Sequence, residues 1–251
     1  MPKSQIIIDA VNGDVSIEKS LKRLQVLAHD VHNEELERWA ENELTGYLGA
    51  DEVPDYRRTK SLNITYSGFN LMVQVNNVPL PVGCLSSDTL DEIADVRIRE
   101  DILSVQKFSE TDPGGYRDLS FLAGEVLEKS GGIQCVSIRQ LIPSSAYGKV
   151  LAEVNNRIIK ALMMLEDQHG KLDKLGIRVD ASKAAQSNAA INETLGLPVQ
   201  IVEKESWTSK VAWNIIIPII TGIVGTVLGA LATICMGSCR KSWCKRLNQA
   251  G

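Results

Sequence analysis

The chain has 251 residues and a formal net charge of −4 at pH 7. Residues 1–210 carry 23 basic and 31 acidic side chains, so this part has a net charge of −8. Nucleic-acid binding needs a basic face that displaces counterions, and the acidic body therefore argues against a DNA or RNA partner. The length of residues 1–210 suits one domain with a sizeable core.

Two amphipathic helices are predicted first, packed as an antiparallel hairpin. Ser16 is a suitable N-cap, and apolar residues recur at gaps of three and four from Ile17 to Val31. Asn33 is a suitable cap for the second helix, which Gly46 is expected to end.

A β-hairpin is predicted next, because apolar and polar residues alternate. The alternation covers residues 62–66, breaks at residues 67–70, where we expect the turn, and resumes over residues 71–75. Pro79 and Pro81 are expected to end the second strand.

The middle of the chain is predicted to be mainly helical. Residues 87–108 have the pattern of one helix with a charged outer face, and a loop follows over residues 111–115. A further helix is indicated around residues 119–126, and a short strand over residues 135–141.

The longest predicted helix runs from Ser144, its expected cap, to residue 168. Residues 169–210 lose this periodicity and are predicted to be a linker or stalk, with a helix over residues 181–195. These patterns predict an α+β fold class, with a mostly helical soluble domain over residues 1–168 and a small antiparallel β-hairpin or sheet.

Residues 211–239 carry no charged side chain, and we predict that they form a transmembrane helix. A helix rises about 1.5 Å per residue, and about 20 apolar residues span the hydrocarbon core of a bilayer. Residues 240–251 then form a basic tail. The aromatic and basic side chains expected at the membrane boundaries are Trp207, Lys210, Trp213, Arg240, Lys241, Trp243, Lys245 and Arg246.

Small residues give the predicted membrane helix a candidate packing face. Gly222, Gly225, Gly229 and Gly237 fall close to one side of it. The pair Gly225 and Gly229 has the spacing that lets two helix backbones approach closely. Membrane lipids and further copies of the chain are therefore expected partners, although glycine is also simply common in membrane helices, and both interpretations stay open.

The two sides of this segment give conflicting topology signals. Residues 1–16 lack the basic region and apolar core of a signal peptide, which predicts a cytoplasmic soluble domain. The four cations of the tail favour the cytoplasm as well. Three alternatives stay open: the tail is translocated as in a tail-anchored protein, the segment is shallow or re-entrant, or it is held back until a trigger drives its insertion.

The sequence offers no recognisable motif of a catalytic, cofactor-binding or metal site. His29 and His32 lack the His-Glu-x-x-His arrangement of a catalytic zinc site. Neither a Gly-x-Ser-x-Gly elbow nor a glycine-rich phosphate loop is present. No catalytic residue, metal or cofactor is therefore predicted, and a non-enzymatic role is expected.

Three short stretches form a distinctive motif: residues 33–39 are NEELERW, residues 43–47 are ELTGY, and residues 53–57 are VPDYR. They resemble the opening of the AbiTii-type abortive-infection domain, and the likeness extends over residues 4–168. The motif residues are Trp39, Glu43, Gly46, Tyr47, Pro54, Tyr56 and Arg57. We interpret them as core and turn residues that define the fold rather than as a ligand site.

The resemblance implies a bacterial protein of phage defence, in which an infected cell arrests or dies before phage matures. Together with the predicted membrane helix, it suggests a single-pass inner-membrane effector. Its cytoplasmic domain would sense infection or oligomerise, and its C-terminal helices would assemble and disrupt the membrane. A phage-derived trigger or another defence protein is an expected partner. Two alternatives stay open: a membrane-tethered scaffold module, and an enzyme acting on a nucleotide or nucleic acid through an unrecognised site.

Overall fold

Helices make up most of the regular structure in the computed structural model, which describes residues 3–49, 53–172 and 181–197. The α-helices of these ranges are α1 (Gln5–Asn12), α2 (Ile17–Asp30), α3 (Glu34–Thr45), α4 (Ser87–Ala94), α5 (Ile102–Glu110), α6 (Ala123–Ser130), α7 (Ser144–His169) and α8 (Ala181–Leu195). The strands are β1 (Arg58–Lys60), β2 (Ile64–Asn70), β3 (Val73–Pro79), β4 (Asp95–Arg97), β5 (Gly114–Asp118) and β6 (Ile133–Pro143). The predicted α+β class, mostly helical with antiparallel strands, is confirmed.

The first predicted helix pair begins at the expected caps. The Ser16 hydroxyl accepts a hydrogen bond from the Lys19 amide at 3.4 Å, and the Asn33 side chain accepts one from the Leu36 amide at 3.1 Å. Each cap satisfies an amide that the first turn of a helix leaves without an intrahelical partner. Helices α2 and α3 also pack against each other. The predicted caps and the predicted packing of the helix pair are therefore confirmed.

Strands β2 and β3 form the predicted hairpin, but the turn predicted at residues 67–70 is wrong. Those residues belong to β2, and the turn consists of Leu71 and Met72. Gly68 lies inside the strand because β6 approaches closely there, and a Cβ atom would collide with the carbonyl oxygen of Gln134. The strand order is β3-β2-β6-β5, and every neighbouring pair is antiparallel.

The single helix predicted for residues 87–108 is also wrong. Helix α4 gives way to β4, and α5 begins only after an extended segment. Strand β4 pairs with β1 and places Val96 among the helices, whereas Ile93 of α4 packs under the sheet. The Asp101 side chain then caps α5 by accepting hydrogen bonds from two amides of its first turn, both at 3.0 Å.

Strand β6 is longer than the predicted strand at residues 135–141, and it has an unpredicted neighbour, β5. Gly114 and Gly115, which suggested a loop, begin β5 instead and lie opposite the end of β6. The long helix α7 is confirmed, but Pro143 rather than Ser144 occupies its N-cap position. Proline is tolerated at this end of a helix because the amide it lacks has no intrahelical partner.

Among the described residues, the buried apolar side chains form two separate cores. The helical core lies between α1, α2, α3, α5, α7 and α8, and includes Leu24 and Ile158. The sheet core lies between the four-stranded sheet, α4 and α6, and includes Tyr66. Strand β6 reaches both cores, because Ile138 belongs to the sheet core and Ile142 to the helical core.

Helix α8, which was predicted at residues 181–195, is confirmed. Its residues Ile191 and Leu195 are buried in the helical core together with Leu172. This part of the stretch predicted as a linker or stalk therefore belongs to the folded domain.

The predicted transmembrane helix at residues 211–239 and the basic tail at residues 240–251 lie outside the described residues. Within the described ranges, no helix is long and apolar enough to cross a membrane. The boundary and packing residues predicted for that segment also lie outside those ranges: Trp207, Lys210, Trp213, Gly222, Gly225, Gly229, Gly237, Arg240, Lys241, Trp243, Lys245 and Arg246.

Candidate functional site

The motif residues around Glu43 form a buried polar network. The Glu43 carboxylate accepts hydrogen bonds from the Tyr47 hydroxyl at 2.7 Å and from the Tyr56 hydroxyl at 2.6 Å. Arg57 donates two more, from Nη2 at 2.6 Å and from Nε at 3.2 Å. A carboxylate removed from water needs such partners, because an unpaired buried charge is strongly destabilising.

Trp39 and Tyr56 extend the hydrogen-bond network from α3 towards α7. The Trp39 indole Nε1 donates to the Tyr56 hydroxyl oxygen at 2.8 Å, and that hydroxyl donates to Glu43. The Arg157 guanidinium of α7 lies over the Tyr56 ring, with its central carbon 4.4 Å from the ring centroid. A cation over an aromatic face is attracted by the ring quadrupole, so Tyr56 links the two helices.

Arg57 joins the network to the extended segment that follows β4. Its Nη1 donates to the carbonyl oxygen of Ile98 at 3.1 Å and to that of Glu100 at 2.8 Å. Its guanidinium carbon also lies 4.8 Å from the centroid of the Tyr47 ring. The planar guanidinium thus donates hydrogen bonds to the Glu43 carboxylate on one side and to two backbone carbonyls on the other. A lysine side chain does not reproduce this geometry.

Gly46 and Pro54 shape the backbone on either side of these groups. Gly46 ends α3 with φ of 86°, and a Cβ atom there would lie 2.8 Å from the carbonyl oxygen of Arg99. That close approach lets Tyr47 and Arg99 exchange hydrogen bonds, with the Tyr47 amide donating at 2.8 Å and Arg99 Nη1 donating back at 2.9 Å. The Pro54 carbonyl accepts from the Arg57 amide at 2.9 Å and forms the turn into β1.

Burial and the nearby negative charge fix the protonation of this network. Burial raises the pKa of Tyr47 and of Tyr56, and the Glu43 carboxylate raises both pKa values further. Burial alone would lower the pKa of Arg57, but its ion pair with Glu43 outweighs this effect and raises it. The phenols therefore remain hydrogen-bond donors at neutral pH, and the side chains of Glu43 and Arg57 have no exposed surface for a ligand to touch.

A charged cleft of about 480 Å³ opens beside the network. Its lining combines three acidic and three basic side chains: Glu92, Asp95, Arg97, Arg99, Glu100 and Arg117. Arg99 and Glu100 also belong to the backbone segment that the motif residues hold, because Tyr47 bonds the Arg99 carbonyl and Arg57 bonds the Glu100 carbonyl. The buried network therefore positions one wall of the cleft.

The cleft has polar groups that the domain itself leaves free. Glu100 Oε2 is buried without a hydrogen-bond partner, and Arg117 has no ion-pair partner among the described residues. Arg97 makes only a loose pair with Asp95, at 3.6 Å, because Asp95 is held more closely by Arg58 at 2.7 Å. Guanidinium groups in such a position can bind carboxylate or phosphate oxygens in a bidentate manner.

The AbiTii family model matches residues 4–192 of this 251-residue chain. The chain belongs to the AbiTii family. This membership indicates a role in abortive-infection defence against phage. No curated protein and no solved structure matches the chain.

The AbiTii match includes both the buried network and the charged cleft. It also includes most of α8, in agreement with the packing of that helix on the helical core. Residues 211–239 lie beyond the matched range. Within the described part of the AbiTii domain, no group of three or more His, Cys, Asp or Glu side chains could hold a metal ion.

The sequence predicts the motif residues but not the cleft. The single helix predicted for residues 87–108 would place Arg97 and Arg99 on different faces. In the extended segment around β4, residues two apart point to the same side, so both arginines line the cleft. Arg117 comes from β5, a strand that was not predicted, and nothing in its local sequence links it to the other two.

Proposed function

We propose that this AbiTii protein is a membrane-anchored abortive-infection effector. Its domain over residues 4–192 senses infection or oligomerises, and its C-terminal helices then assemble and disrupt the bacterial inner membrane. The observation that carries the proposal is the joining, in one chain, of an AbiTii domain and 29 consecutive residues, 211–239, without a charged side chain. An uncharged stretch of this length suits a membrane helix better than a core helix.

The spacing between domain and segment supports direct coupling. Only 13 residues, 198–210, separate the last described residue, Leu197, from the uncharged segment. Even when fully extended, such a connection reaches at most about 45 Å. A change in the position or association of the domain therefore constrains where the segment can lie.

The charged cleft is our candidate for the sensing surface. Arg97 and Arg117 face it with few bonds of their own, and the Glu43 network holds its Arg99 and Glu100 wall. A phage-derived or defence-system partner with carboxylate or phosphate groups would find charge-assisted hydrogen-bond donors there. Binding would act on the extended segment between β4 and α5, whose residue Ile98 is buried in the helical core.

The experiment compares inducible full-length variants in bacteria that contain a membrane-potential dye. The native chain is expected to depolarise the membrane and to protect the culture against phage. Replacement of Gly225 and Gly229 by leucine should abolish both effects, because bulky side chains prevent close helix packing. The matched control replaces Val224 and Val227 by leucine, which enlarges the same segment away from the glycine positions and should leave both effects intact.

Three outcomes would contradict the proposal. Equal depolarisation by the glycine variant and the native chain would exclude packing through Gly225 and Gly229. If residues 211–239 are exchanged for an unrelated membrane helix and the chain still protects fully against phage, the scaffold alternative would be favoured. Toxicity without depolarisation from a chain truncated after residue 205 would instead favour an enzymatic activity of the domain.

A further inference from the structure

The tip of the β2–β3 hairpin presents bare apolar side chains to solvent. We define this hairpin tip as Phe69, Leu71, Met72 and Val73. Their exposed fractions are 42%, 74%, 97% and 64%, so none of the four is used by either core of the domain. Single exposed apolar residues are common on protein surfaces, but a cluster of neighbouring ones marks a binding surface.

The whole hairpin also lacks charge. Residues 61–87 form a run of 27 residues without an acidic, basic or histidine side chain, in a chain of which 23% is charged. Solvent-exposed hairpins normally carry charged residues, which keep them soluble and prevent edge pairing. Transfer of the hairpin tip into an apolar medium therefore requires no charged group to lose its hydration.

The turn residues are not those that the backbone favours. Leu71 has φ of 55°, in the left-handed region, where a leucine side chain is disfavoured and glycine is preferred. Of the two central residues only Leu71 has a positive φ, the pattern of a type II′ turn, for which Gly followed by a polar residue is the usual sequence. Leu71 does contact Gly132, to whose carbonyl oxygen its amide donates at 2.9 Å, but the preferences of the turn do not explain why both of its residues are bulky and apolar.

The edge of the hairpin argues against a second copy of the chain as the occupant. Strand β3 lies at the edge of the sheet and offers free backbone groups on one side. However, Asn77 has a left-handed φ of 53°, which breaks the regular geometry of the strand, and Pro79 has no amide to donate. These two interruptions disfavour the continuous ladder that strand addition needs.

We infer that the hairpin tip inserts into the interfacial region of the bilayer, with Leu71 and Met72 as its deepest residues. The inference rests on the proposed membrane anchor, because the 13 residues 198–210 keep Leu197 within about 45 Å of the start of the uncharged segment. It adds a second lipid contact, made by the folded domain rather than by the C-terminal segment. The anchor raises the local concentration of the hairpin tip at the bilayer, so that even a weak contact of the tip with lipid becomes populated.

The test uses the full chain reconstituted into vesicles of phosphatidylethanolamine and phosphatidylglycerol. A photoreactive benzophenone amino acid replaces Met72 in one sample and Leu48 in the control. Leu48 is 84% exposed and lies outside both the hairpin and the sheet. After irradiation, mass spectrometry of the chain quantifies covalent adducts with lipid and with protein. We expect lipid adducts at position 72 in at least about fivefold excess over position 48.

Three outcomes would overturn the inference, and each is distinct. Equal lipid adducts at both positions would show that the hairpin tip has no special contact with lipid. Chain-to-chain adducts at position 72 without lipid adducts would identify a second copy as the occupant. Failure of the full chain to float with the vesicles would remove the proposed anchor, and with it the basis of this inference.

A turn variant separates lipid contact from folding. Leu71→Gly combined with Met72→Asn supplies the residues that a type II′ turn prefers and should preserve the hairpin. With the probe moved to position 73, this double variant is expected to lose most of the lipid adduct although it still floats with the vesicles. An unchanged adduct yield would overturn the role of Leu71 and Met72.

Discussion

Glu43 and Arg57 form an ion pair, with 2.6 Å between Oε2 and Nη2, in which neither side chain has any exposed surface. The pair is held from both sides. Tyr47 and Tyr56 complete the bonds of the carboxylate, and backbone carbonyls complete those of the guanidinium. Such a pair contributes little net energy while intact, but loss of one partner leaves the other buried and uncompensated.

Glu43→Gln should therefore destabilise the domain by about 3 kcal/mol or more, because glutamine keeps the shape of the side chain but not its charge. Circular dichroism in a denaturant titration would measure this loss. Glu41→Gln, an exposed change on the same helix, is the matched control and should stay within about 0.5 kcal/mol. A similar small effect at position 43 would refute the assignment of this pair as essential to the fold.

Gly46→Ala is expected to cost more stability than Gly13→Ala. Both glycines have left-handed backbones, with φ of 86° and 75°. A Cβ atom at position 13 would meet nothing within 4 Å, whereas one at position 46 would lie 2.8 Å from the Arg99 carbonyl oxygen. Overpacking adds about 1–3 kcal/mol to the backbone cost shared by both variants. Thermal unfolding of the two variants would reveal equal losses if the contact with Arg99 were unimportant.

Glu166 should make the stability of the domain depend on acid pH. Hydrogen bonds from Lys3 and Ser4 lower its pKa from 4.5 to about 2. Because the folded pKa is the lower one, this stabilisation is fully present above about pH 5 and is lost as the pH falls towards 2. The difference in unfolding midpoint between the native chain and Glu166→Gln should therefore shrink over this range. Glu193→Gln serves as the control, and a difference that is constant with pH would contradict the prediction.

The charged cleft gives a prediction for sensing. Arg97→Gln combined with Arg117→Gln should reduce protection against phage at native expression, since two charge-assisted donors are lost. Depolarisation on strong overexpression should persist, because the membrane segment is unchanged. Lys22→Gln, which changes a 61% exposed cation on α2, is the control. Full protection by the double variant would exclude the cleft as the sensing surface.

The basic tail gives a prediction for resting topology. Export of its four cations against the membrane potential costs about 2.3 kcal/mol per charge per 100 mV, or roughly 9 kcal/mol in total. A protease-cleavable tag placed after Gly251 should therefore resist external protease before infection. After infection, the same protease should cleave it. Cleavage of the tag in resting cells would mean that the tail is already translocated and that no trigger is needed for insertion.

Local signals predicted much of the helical part. Ser16 and Asn33 were identified as caps because a side-chain oxygen next to an apolar periodicity determines a helix start within a few residues. The motif residues were also identified, but not their arrangement. Arg57 bonds the carbonyls of Ile98 and Glu100, 41 and 43 residues further along the chain, and no local pattern contains that distance.

The errors have equally specific causes. Residues 87–108 contain apolar residues at helical spacing, but these divide between two cores, with Ile93 in the sheet core and Ile102 in the helical core. One continuous helix cannot bury its apolar residues in both cores, so the chain adopts an extended conformation between Ile93 and Ile102. The hairpin turn was misplaced because Gly68 was interpreted as a turn residue, whereas it is required by the close approach of β6. Glycine spacing alone does not distinguish these two needs.

Strand β6 runs through both cores and continues directly into α7. This length of backbone thus belongs to both cores, with Ile138 buried in the sheet core and Ile142 in the helical core. The residues between Ile138 and Ile142 pair with β2 on one side and with β5 on the other, so separation of the cores would disturb both pairings. We therefore expect a displacement of β2, which is bonded to β6 along its length, to reach the base of α7 through β6.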